Sequence, residues 1–137
     1  MNKLHQIHIP IYEQYVDVWF GDKDECKKAL EKKKLPKDCI DFFYETMNKS
    51  NGAFCQHRDE IYNLFWMPDV PRDTFDLSTF VHEIEHGTFY ILDYVGVKHD
   101  MNSDEAFAYL QGYMFGEIYK IVDKIKKQQN ELDKRED

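Results

Sequence analysis

The chain has 137 residues and a formal net charge of −8, with 18 Lys and Arg against 26 Asp and Glu. One domain is expected, since a chain of this length buries roughly two thirds of its surface on folding, and the ten Phe, nine Tyr and two Trp supply large apolar area for its core. The acidic balance argues against nucleic-acid binding and leaves no basic patch for a membrane surface.

In chain order, Met1–His5 does not open a signal peptide and no apolar run reaches transmembrane length, so a cytoplasmic, intracellular protein is expected. Tyr15–Phe20 is β-rich and ends at Gly21. Asp22 to Lys34 carries helix formers, with Asp22 or Asp24 near its start, and Leu35-Pro36 breaks the run. A second helix is predicted from Pro36 or Lys37 to about Met47, with Ile40, Phe43, Tyr44 and Met47 on one face. Asn48–Gly52 reads as a turn. Ala53–His57 and Ile61–Met67, joined by Arg58-Asp59-Glu60, suggest a hairpin that Pro68 and Pro71 close. Cys26, Cys39 and Cys55 are too few for a disulfide framework and form no C-x-x-C pair, so reduced, buried thiols are expected. No internal repeat is present.

The stretch Val81-His82-Glu83-Ile84-Glu85-His86-Gly87 carries the sequence H-E-x-x-H. Asp76 or Ser78 is the expected N-cap of its helix and Gly96 the stop. Leu77, Phe80, Val81, Ile84, Thr88, Ile91, Leu92 and Val95 form one apolar stripe. His82 and His86 are about 6 Å of rise and slightly more than one turn apart, on a face nearly opposite that stripe. Two imidazoles so placed can hold one zinc ion, with Glu83 beside them to work on a metal-bound water. A bare match of this kind also occurs by chance on surface helices; the caps and the stripe favour the ligand reading. His5, His8 and His57 lie outside any ligand spacing and are read as non-functional.

A catalytic zinc takes a third protein ligand and leaves one position open. Asp93, His99, Asp100, Asp104 and Glu105 follow the motif. Asp93 shares the histidine face but lies roughly 10 Å beyond His86, so a hydrogen bond to an imidazole from behind suits it better than direct ligation. Glu105 is the best third ligand, in the first turn of a helix capped by Asn102 or Ser103 after a loop from Gly96. Ala108, Gly112 and Gly116 recur every four residues on a stripe that includes the direction of Glu105, which would let the two helices approach closely. The last helix is expected to run on into a charged, solvated tail from Asp123 to Asp137.

H-E-x-x-H, a short loop and then Asp104-Glu105-Ala106-Phe107-Ala108-Tyr109 resembles the gluzincin arrangement, and over about residues 50–120 is similar to the ImmA/IrrE-like metallopeptidases and small phage zincin-like proteins. The resemblance implies an α+β zincin-like domain: a small antiparallel sheet, the histidine helix and a glutamate-bearing helix. It implies that His82, His86 and Glu105 bind zinc and that Glu83 is the general base. It also implies an extended peptide or protein substrate paired with an exposed strand edge, Ile61–Met67 or its partner strand, with a strand buried inside the sheet as the competing reading of that run, and endopeptidase rather than exopeptidase action. For an electrophile assisting the metal, Tyr109 comes first and His99 second; ordinary packing for Tyr109 and an exposed loop position for His99 are the competing readings. A zinc-bearing module without hydrolysis, structural, regulatory or adaptor in role, is the alternative function.

Overall fold

The computed structural model describes residues 2–136. Four strands, β1 (His5–Ile9), β2 (Gln14–Phe20), β3 (Ala53–His57) and β4 (Tyr62–Met67), and four helices, α1 (Lys23–Lys32), α2 (Lys37–Asn48), α3 (Thr74–Tyr94) and α4 (Asp104–Glu136), make an α+β architecture. The strands form one sheet in the order β1-β2-β4-β3. β1 pairs antiparallel with β2 and β3 antiparallel with β4, but β2 and β4 are parallel, with Val18 opposite Phe65. The sheet is therefore mixed, which corrects the expected antiparallel one. The cause is the connection: α1 and α2 carry the chain across the sheet between β2 and the β3–β4 hairpin, and a crossover of that length permits parallel pairing.

Helices cover both faces. Val16, Val18, Phe20, Phe54, Phe65 and Met67 pack with α3 and α4 in one core. The alternate residues Trp19, Ala53, Cys55, Leu64 and Trp66 pack with α1 and α2 in the other. Asp17 is buried on that second face, where its carboxylate accepts from Gln6 Nε2 at 2.9 Å and from Lys33 and Tyr62. All three cysteines are buried and free. Burial pushes the Cys26 and Cys55 thiols up to about 12 and the Cys39 thiol to about 11, so none carries a thiolate near neutral pH.

The N-cap of α3 comes three residues before Asp76 and five before Ser78, the two expected caps. Asp73 is its N-cap, accepting from the Asp76 N–H at 2.8 Å, while the Asp76 carboxylate accepts from the Arg72 N–H at 3.0 Å. The stop is at Gly96 as expected. With φ of 86° there, the Val97 N–H reaches the Leu92 carbonyl at 2.8 Å and the Gly96 N–H the Asp93 carbonyl at 3.1 Å, a Schellman closure. Phe80, Ile84, Thr88, Ile91 and Leu92 are buried, and the opposite face is open.

Candidate metal centre

His82 and His86 stand on the exposed face of α3 with Nε2 atoms 3.1 Å apart. Two nitrogens on one tetrahedral zinc, each at 2.0–2.1 Å, are about 3.3 Å apart. The two imidazoles and their spacing therefore fit two positions of that ion, and with Glu83 kept as a base no third protein ligand stands beside them among the described residues. The same separation suits an N–H···N hydrogen bond between neutral rings when no metal is bound.

Glu83 lies one residue round the helix, turned towards β3, with a side chain 13% exposed. Its Oε2 accepts from the Phe54 N–H at 2.8 Å, and its Oε1 is 4.0 Å from His82 Nε2. Burial raises its pKa from the usual carboxylate value, against the opposing pull of the Phe54 N–H and the two imidazoles. Among the described residues, His82, Glu83 and His86 are the one group of metal-binding side chains whose ligand atoms lie within 4.8 Å of one another.

The close approach of α3 to β3 depends on Gly87. A Cβ at that position would lie 2.4 Å from the Phe54 ring, so only glycine lets the helix seat against the strand. Phe54 stands opposite Phe65 yet gives its N–H to Glu83, so this is a pair without ladder hydrogen bonds. By alternation Gln56, opposite Asn63, also turns its N–H and C=O away from β4. β3 is thus the open edge beside the histidines, while β4, which takes up the expected run from Tyr62 to Met67, lies inside the sheet.

The structure does not bring Glu105 to the histidines. Phe89 meets Phe107 at 5.0 Å and Phe80 meets Phe115 at 5.3 Å, so α3 and α4 run antiparallel and position 105 lies past Phe89, beyond His86. Phe107, Leu110 and Met114 turn inward, which leaves Glu105 exposed on the outer side of α4. Ala108, Gly112 and Gly116 are exposed as well, and a Cβ at either glycine would meet nothing within 4 Å. That stripe does not bring the helices together. Asp93 is held by Arg58 from the β3–β4 turn, not by an imidazole. Tyr109 is 75% exposed and lines an apolar groove with Ile11 and Tyr113, so it is not packed as the competing reading had it. His99 packs between Phe89 at 5.2 Å and Phe107 at 4.5 Å, with Asp104 beside it at 3.9 Å.

Sequence reasoning missed Phe54, whose contribution is a backbone N–H, and Tyr90, whose ring stacks on His86 at 5.9 Å. The signal for Tyr90 was present: it follows His86 by four residues on the same helix. No family model, no curated protein and no solved structure matches the chain.

Proposed function

We propose that His82 and His86 hold one zinc ion and that the chain hydrolyses peptide bonds with Glu83 as general base. The observation that carries this reading is the aim of the Glu83 carboxylate, with one oxygen on the Phe54 N–H and the other 4.0 Å from His82 Nε2. Zinc when bound supplies positive charge for the reacting carbonyl and lowers the pKa of water. Oε1 of Glu83 takes the proton of the attacking water and returns it to the leaving amine nitrogen. The Phe54 N–H fixes Oε2, and so keeps Oε1 turned to the histidines through both transfers. The β3 edge offers backbone groups to an extended substrate, and an edge of this kind holds the middle of a chain, which favours endopeptidase action.

A second reading, a zinc-holding module without hydrolysis, is favoured by one observation: no side chain besides Glu83 joins the two histidines among the described residues. Elemental mass spectrometry separates these readings from a metal-free protein. Protein purified without chelator or polyhistidine tag is expected to carry about one zinc per chain, lost in His82→Ala. Glu83→Gln is expected to keep zinc and lose cleavage of labelled, denatured casein. A parent chain that takes up no zinc on titration overturns both readings. A zinc-loaded parent that leaves denatured proteins intact leaves only the second.

A further inference from the structure

We infer that the groove between α2 and α3 reads a bulky apolar side chain of an extended polypeptide, with Phe42 as the residue that sets this preference. The groove, of about 510 Å³, runs along β3. Phe42, 52% exposed, and Thr46 form its α2 wall; Tyr90 and Asp93 form its α3 wall, and Arg58 closes one end. A single exposed phenylalanine is ordinary on a protein surface. This one shares its groove with the outward N–H and C=O of Gln56, which an extended polypeptide strand can pair with while it turns a side chain to the Phe42 ring.

Glu83 fixes the register of the guest. It already occupies the Phe54 N–H, so full pairing starts at Gln56. An antiparallel guest residue opposite Gln56 exchanges two hydrogen bonds with it. The Gln56 side chain lies on the α3 side, where its Nε2 donates to the Tyr90 carbonyl at 3.3 Å, and the guest residue opposite it points the same way. The next guest residue, level with Cys55, points to the α2 side, towards Phe42 and Thr46. A large apolar side chain there is buried against the Phe42 ring. A carboxylate there loses water, and the one cation lining the groove, Arg58, is already paired with Asp93. Tyr90 stacks on His86, so a strand seated in this groove continues to the candidate metal centre.

Only the consequence, choice of a cleavage site, rests on the peptidase reading. The test therefore measures binding without hydrolysis. Labelled, end-blocked peptide pools, each with one position fixed, are titrated by fluorescence anisotropy against chelator-treated protein. One position is expected to favour Phe, Leu or Met over Asp by about tenfold or more, and Phe42→Ala to reduce that ratio to about threefold or less, other positions unchanged. Gln56→Pro removes an outward N–H and no ladder bond, so the sheet is retained and binding of every pool falls about tenfold. Gln56→Ala keeps the N–H and binds as the parent does. Should the proline variant not fold, amide hydrogen exchange on the parent replaces it: the Gln56 amide is expected to slow when the best pool is added. Equal binding of all pools, a preference untouched by Phe42→Ala, or an unprotected Gln56 amide overturns the inference. Incubating the zinc-loaded parent with the best pool then tests the other reading. Binding without cleavage removes the peptidase and keeps the groove; cleavage with no side-chain preference does the reverse.

Discussion

Glu83 sits where its chemistry is useful and its charge is costly. Its carboxyl is mostly buried, and that desolvation outweighs the help of the Phe54 N–H and the imidazoles, so its pKa is raised. A carboxyl with a folded pKa above its unfolded one costs stability at any pH above the unfolded value. The cost fades as pH falls through the folded value towards the unfolded one, near 4.3. Glutamine keeps an oxygen for the Phe54 N–H and carries no charge. In chelator-treated protein, Glu83→Gln is expected to raise the thermal midpoint at pH 7 by roughly 1–3 °C and to lose that gain near pH 4. A midpoint that falls at pH 7 would mean that the hydrogen bond to the charged carboxylate outweighs its burial. The placement of His82 and His86 was legible in the sequence because a four-residue helical spacing fixes it without any tertiary information. The partner of Glu83 was not. It is a backbone group 29 residues away, of a kind no residue type announces.

Among the elements, the β3–β4 hairpin holds a local contradiction. Ile61 closes its turn at φ of 51°, a left-handed conformation that crowds a β-branched side chain and costs about 1–2 kcal/mol. The side chain is 57% exposed, so little burial is recovered. Asparagine accepts this conformation readily, and Ile61→Asn is expected to stabilise the fold by about 1 kcal/mol, read as a higher urea midpoint at unchanged slope. A lower midpoint would assign Ile61 a packing role that outweighs the strain. The hairpin itself was legible from two β-prone runs around a polar turn. The mixed sheet was not, because pairing between β2 and β4 depends on where α1 and α2 send the chain. One trace of it was present: β2 alternates poorly, with Tyr15 exposed but Val16 through Phe20 all buried, as a strand covered on both faces does. Glu105 and Tyr109 were misplaced for a related reason. Helical periodicity gives their angle to one another, while packing of Phe107, Leu110 and Met114 sets how the whole of α4 is turned.

At the scale of the molecule, the sheet separates two cores, and the candidate centre lies on the outside of the α3–α4 layer. No described helix is long and apolar enough to cross a membrane. Both histidines come from one helix, so a zinc ion there ties no distant elements together. Its stabilising effect comes from binding the ordered helix in preference to the unfolded chain. At a free zinc concentration ten times the dissociation constant that preference is worth about 1.4 kcal/mol, a rise in midpoint of roughly 5 °C for a domain of this size. His82→Ala and His86→Ala are each expected to abolish the rise. Glu105→Ala is expected to keep it in full, since α4 presents that carboxylate to solvent. The three variants are compared by thermal scans with zinc and with chelator, so that each supplies its own metal-free baseline. A rise lost in Glu105→Ala as well as in the histidine variants would mean that α4 turns on metal binding to deliver the carboxylate. Phe107, Leu110 and Met114 would then have to leave their present contacts. The small residues Ala108, Gly112 and Gly116 would become the surface along which the two helices meet.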